Sequence, residues 1–139
     1  MFKKILSTQF TTSQINTCLF ILRISVAILM MSHGYQKFSH FAEKQDKFMS
    51  FMGMSSSASL SLTIFAELFC SAFLALGLLT RIVLIPLLIT MLVAVLMAHG
   101  FDVFGEGQLA FVYLISYLVL FISGPGSISA DQLLFNKKY

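Results

Sequence analysis

IVLIPLLITMLVAVLMAHG, residues 82–100, runs its whole length without an Asp, Glu, Lys or Arg. At a rise of about 1.5 Å per residue, roughly 20 apolar residues cross the 30 Å or so of hydrocarbon in a bilayer. A helix at the surface of a soluble protein keeps a polar face, and this stretch has none. Its expected solvent is therefore lipid. Pro86 stands near the start of the run, where a missing amide costs little, so the helix need not break there.

Three further apolar runs flank it. QLAFVYLISYLVLFISG (108–124) is also free of charge, and the runs 17–37 and 58–79 carry only isolated charged residues. Of the 139 residues 58% are hydrophobic and 11% charged, well away from the balance of a soluble domain. The expected fold is all-α: an integral membrane four-helix bundle, antiparallel and up-down-up-down, with residues 1–139 forming a single transmembrane domain. Only Thr80 and Arg81 separate the second and third spans, which makes those helices antiparallel neighbours.

The net charge of +3 is spread along the chain without a basic stripe or interleaved aromatics, which excludes nucleic acid as a partner. Cys18 and Cys70 fall in separate apolar runs with no CxxC and no histidine at ligand spacing, so neither a disulfide framework nor a metal site is expected. The N-terminal stretch has basic residues at Lys3 and Lys4, but the polar STQFTTSQINT that follows cannot serve as the core of a secretory signal. It reads as a cytoplasmic lead-in. Basic residues number five on one side (Lys3, Lys4, Arg81, Lys137, Lys138) against three on the other (Lys37, Lys44, Lys47), which places both termini in the cytoplasm. The loop 39–57 then faces outward, and FAEKQDKFMSFMGMSSS (41–57) spaces Phe41, Lys44, Phe48 and Phe51 as a short interfacial helix would. Ser55 to Ser57 and Ser59 offer an N-cap for the second span.

Charges within a span need a partner, a route to the interface or water. Counting about 1.5 Å per residue from the outer span ends puts Arg23 some 21 Å down and Glu67 some 14 Å down, an offset their side chains can bridge. An Arg23–Glu67 pair is the expectation, with Arg23 snorkelling to the inner headgroups as the other reading. Arg23, His33, Gly34 and Lys37 share one face of span one. Ser59, Thr63, Glu67, Cys70, Ser71 and Gly77 share one face of span two, a stripe suited to close helix packing. Glu67, Tyr113, Tyr117 and the histidines are candidate wall residues for a quinone or other lipid-like ligand, which needs hydrogen bonds at its carbonyls inside an apolar slot. Haem between His33 and His99 is disfavoured, since His99 is expected to point away from the face marked by Pro86, Thr90, Ala94 and Met97. The eight methionines read as apolar filler. No hydrolytic triad, phosphate loop or nucleotide fingerprint is present, and GEG at 105–107 and GPG at 124–126 read as loop and helix-end glycines.

Three segments in order carry a family resemblance. LRISVAILMMSHGYQKF (22–38) has an Arg followed some ten residues on by HG and a Lys. AELFCSAFLALGLLTR (66–81) has a Glu, a Gly and a closing Thr-Arg, and GPGSISADQLL (124–134) has GPG, a Ser and an Asp. Together they resemble the DoxX family of small bacterial membrane proteins, with Ser25 and Ala27 standing where members often have glycine. The resemblance implies a four-helix protein of the bacterial inner membrane, in a family named for subunits associated with quinol or thiosulfate:quinone oxidation. It marks Arg23, His33, Gly34, Lys37, Glu67, Thr80 and Arg81, with Gly77, Gly124 and Gly126 as structural glycines. The expected function is a redox-associated subunit without a catalytic motif of its own, at most accessory to a quinone-linked oxidoreductase. The expected surroundings are the lipid bilayer, a membrane or periplasmic oxidoreductase partner, and further copies of the chain. The family also resembles eukaryotic membrane chaperone-like proteins, so a non-catalytic assembly scaffold competes. A proton-coupled small transporter using Glu67 is the third reading.

Overall fold

The computed structural model describes residues 8–135, and those residues are all-helical without a strand. Lys3, Lys4, Lys137 and Lys138, on which the orientation expectation partly rests, lie outside them. Helix α1 spans Thr12–Ser39 and opens with a capping box. Thr11 N donates to Gln14 Oε1 at 2.7 Å, and Gln14 N donates to Thr11 Oγ1 at 3.3 Å. Because this cap satisfies the first amides, the helix starts several residues ahead of the apolar run. The polar TSQIN turn expected to be lead-in is helical. A single turn, α2 (Phe41–Lys44), follows, shorter than the interfacial helix expected over 41–51.

Helix α3 spans Ser56–Leu76. Ser55 caps it by accepting from Ala58 N at 3.2 Å. Its middle, Phe65–Cys70, is a π-helical turn. The wider turn lets Ala66, Glu67, Cys70 and Ser71 all face the interior. The helix ends at Gly77, whose φ of 66° lies in the left-handed region that glycine adopts without strain. Gly77 N donates to Leu74 O and Leu78 N to Phe73 O, a Schellman closure. Helix α4 spans Thr80–Ala98 and finishes in a second π-helical turn, Ala94–Ala98. Pro86 falls in its second turn, not the first, and the helix continues through it. Helix α5 spans Gln108–Ser123 and the short α6 spans Ala130–Phe135.

Among the described residues three helices, α1, α3 and α4, are long and apolar enough to cross a membrane. The sixteen residues of α5 extend about 24 Å, short of a typical hydrocarbon core. One apolar core joins all four: Ala27 and Met30 of α1, Leu74 of α3, Leu84 and Leu87 of α4, Tyr117 and Leu120 of α5. Large side chains such as Ile21, Leu62, Ile82 and Ile122 point outward and stay exposed, as lipid-facing residues do.

At Gly34, α1 comes close to the backbone of α3. A Cβ there would stand 2.7 Å from Leu68 N and 2.8 Å from Glu67 C, and backbone cannot yield as a flexible side chain can. Gly34→Ala is expected to push α1 off the π turn and cost about 1–3 kcal/mol, typical of overpacking. Thermal unfolding of the detergent-solubilised protein followed by circular dichroism measures this, and an unchanged midpoint would refute the close approach.

Candidate functional site

The interior polar groups gather at two levels. At the level of Gly34, Glu67 of the π turn is 3% exposed and accepts at Oε2 from Lys37 Nζ at 2.6 Å. Lys37 stands about one turn above Gly34 and its side chain keeps 24% exposure, so the pair joins a buried carboxylate to a partly open ammonium. Beside it, the His33 ring meets Tyr113 edge-on at 6.2 Å, and Tyr113 lies 5.9 Å from Tyr117.

Arg23 is nowhere near this pair, which overturns the expected Arg23–Glu67 bridge. Its guanidinium is 1% exposed and donates from Nη1 to Pro125 O at 2.6 Å and from Nη2 to Ile128 O at 2.7 Å, with its Cζ 5.6 Å from the centre of the Phe20 ring. Equal heights for the outer helix ends were the faulty premise. Gly34 touches Glu67 directly. Arg23 therefore lies eleven residues, or about 16 Å, below Glu67, while α3 projects beyond the end of α1. Nor does Arg23 snorkel: it points inward and holds the turn after α5.

That turn is held from several directions. Asp131 accepts from Leu79 N at 2.6 Å and from Thr80 N at 2.9 Å, capping the start of α4, and its own N donates to Gly77 O at 2.9 Å. Ser127 N donates to Asn16 Oδ1 at 2.9 Å. Gly77 is required here twice over, by its φ and because a Cβ would stand 2.7 Å from Arg23 Nη1. Thr80 is buried, while Arg81 is exposed beside Gly124. Arg23, Gly77, Thr80, Gly124 and Gly126 thus belong to a structural clasp between the two ends of the chain.

The Lys37–Glu67 pair, by contrast, opens onto a cavity of about 440 Å³ between α1, α3, α4 and the loop 45–55. Its walls are mostly apolar, with Ser59, Thr63, Thr90 and His99 as further polar groups. Phe48, Met49, Phe51 and Met54 cover it, and Phe51 N donates to Ser59 Oγ at 3.0 Å, fixing the cover to α3. His33, Tyr113 and Tyr117 do not line this cavity; they pack in the core behind it, so the single pocket expected from Glu67, the tyrosines and both histidines is divided.

His99 was expected to face away and instead joins the wall. The cause is the π turn at the end of α4, where His99 N donates to Ala94 O five residues back at 3.1 Å. On a regular helix His99 would lie opposite Thr90; one extra residue in a turn sets it back by about 100°. The same shift turns Met97 outward and brings Ala98 to the cavity wall, where it stays exposed. Phe48 and Phe51 were expected on an interfacial helix; they lie instead in a loop and, with Met49 and Met54, line the cavity.

Among the described residues no group of three or more His, Cys, Asp or Glu is placed to hold a metal ion. Cys18 is exposed and Cys70 buried, both as free thiols.

Fold and site together define a helical membrane protein with an ion pair set in the wall of an apolar cavity. The chain matches the DoxX family over residues 18–100 and belongs to it. The match takes in Arg23, Lys37, Glu67 and Arg81 and stops short of the GPG segment. No curated protein and no solved structure matches the chain.

A double-mutant cycle separates the two levels. Lys37→Met and Glu67→Gln are expected to be non-additive in stability by about 0.5–3 kcal/mol, as contacting residues are, whereas Arg23→Met and Glu67→Gln add. Arg23→Lys is expected to recover only part of the loss in Arg23→Met, because an ammonium lacks the planar fork that reaches two carbonyls at once. Coupling between Arg23 and Glu67 would contradict the observed geometry.

Proposed function

We propose that this DoxX-family protein binds a quinone or a similarly neutral, lipid-like ligand in the cavity beside Lys37 and Glu67, and serves as a redox-associated subunit of the bacterial inner membrane. The observation that carries this reading is the position of the pair. Lys37 uses one N–H on Glu67 and retains others, while Glu67 uses Oε2 and keeps Oε1 as an acceptor. A carbonyl can accept from the ammonium and a hydroxyl can donate to the carboxylate, so one site serves both the oxidised and reduced members of a quinone/quinol couple. The pair is neutral overall, which disfavours an anionic headgroup such as a fatty acid carboxylate. The cavity is of the size of small-molecule sites, and mostly apolar walls with a few polar groups are what such a ligand requires.

In this reading all four long helices cross the bilayer as an antiparallel up-down-up-down bundle with both termini in the cytoplasm. Helix α5 is shorter than the others, and the flanking 99–107 turn completes its path through the outer leaflet. The electron-transferring chemistry belongs to an oxidoreductase partner, and the pair's part is to hold the ligand. An assembly scaffold is the second reading, and the clasp around Arg23 favours it: that cluster consumes several polar groups purely to hold the fold.

Native mass spectrometry of protein extracted in mild detergent, with a ubiquinone or menaquinone supplied, tests the proposal. The expected result is one bound quinone per chain, retained in Arg23→Lys and weakened roughly ten- to a hundredfold in Glu67→Gln and Lys37→Met, the scale of one lost hydrogen bond to a charged group. A folded wild type that binds no quinone, while a partner protein co-purifies regardless of Glu67, would favour the scaffold.

A further inference from the structure

The two polar levels are separated by a layer with no polar side chain facing it. Between Glu67 and the Arg23 clasp stand Ala27 of α1, Leu74 of α3, Leu84 and Leu87 of α4 and Leu120 of α5, every one of them at zero exposure and all within a single apolar cluster. All four long helices contribute. Along α3 the layer fills the step from Ser71 to Gly77, about 9 Å of rise. Above it lie Lys37, Glu67, His33, Tyr113, Tyr117 and Ser71, with His99 at the cavity wall; below it lie Arg23, Thr80 and Asp131.

The upper level has a floor of its own. The Tyr117 and Ser71 hydroxyls are fully buried and lie near one another within the field of Glu67. These hydroxyls extend the polar level inward from Glu67 only as far as the leucines. Water and protons need polar groups to pass, and a closely packed leucine layer offers none.

The geometry points to a one-sided proton-exchange site: protons reach and leave the Lys37–Glu67 pair from the side of the loop 39–55, and the leucine layer closes the route to the Arg23 side. This holds whatever occupies the cavity. A hydroxyl of a bound ligand that gives its proton to Glu67 passes it to loop-side water, and Glu67 is no carrier across the membrane.

The experiment uses the full-length protein in liposomes and no ligand, so its outcome is independent of quinone binding. Proton flux is driven by a potassium diffusion potential with valinomycin and read with a trapped pH-sensitive dye. In parallel, a membrane-impermeant amine reagent is applied to vesicles of each orientation and labelling is assigned by peptide mass spectrometry. The expected result is no proton flux above that of protein-free liposomes. Lys37 is labelled only together with Lys44 and Lys47, and faster in Glu67→Gln, where its partner is lost. Flux proportional to the amount of wild-type protein, or labelling of Lys37 together with Lys3 and Lys4, would overturn the inference.

Discussion

Placing a carboxylate in the interior of an apolar bundle is the constraint around which the rest of the structure is arranged. An unpaired charge there costs several kcal/mol, and even a paired one seldom repays its desolvation fully. Glu67 is reconciled with its surroundings by three local devices: a π turn that directs it inward, a glycine on α1 that lets backbone come within reach, and a lysine one turn higher whose ammonium meets it at 2.6 Å. A pair of well-packed apolar residues would hold these helices as well or better. Stability alone therefore does not account for an ion pair at this cavity wall.

Both π turns lie where the cavity is. One carries Glu67 and the other ends at His99, and each changes which side chains reach the interior without changing the path of the helix. The cavity is thus bounded by irregular segments on two of its helices and by a loop on the outward side. The opposite end of the molecule is built from ordinary caps and closures: a Schellman end on α3, a carboxylate cap on α4 and a guanidinium that takes up two carbonyls. Regular helix ends make a rigid base, and irregular turns above it make a site.

Much of this was legible in the chain. The uncharged runs revealed helices suited to lipid, and the family pattern singled out Arg23, Gly34, Lys37, Glu67 and Gly77. What could not be read was how far one helix is displaced along another, because hydropathy marks where a span lies and says nothing of its depth to within a turn. That gap assigned Glu67 to Arg23 when Lys37 was its partner. The position of His99 failed for a different reason. A count of 100° per residue assumes an unbroken α-helix, and AVLMA has no residue that announces a wider turn. The covering loop was read as an interfacial helix because Phe41, Lys44, Phe48 and Phe51 recur at helical spacing, and spacing alone does not tell a helix at the membrane surface from a loop folded over a cavity.

Arg23 finds its carbonyls 102 and 105 residues further along the chain. During synthesis α1 is made before Pro125 and Ile128 exist, so its guanidinium begins without the acceptors that later bury it. Until they exist, a charge in that position belongs at the headgroups or in water, so burial of Arg23 within the bundle requires the segment after α5 to be in place.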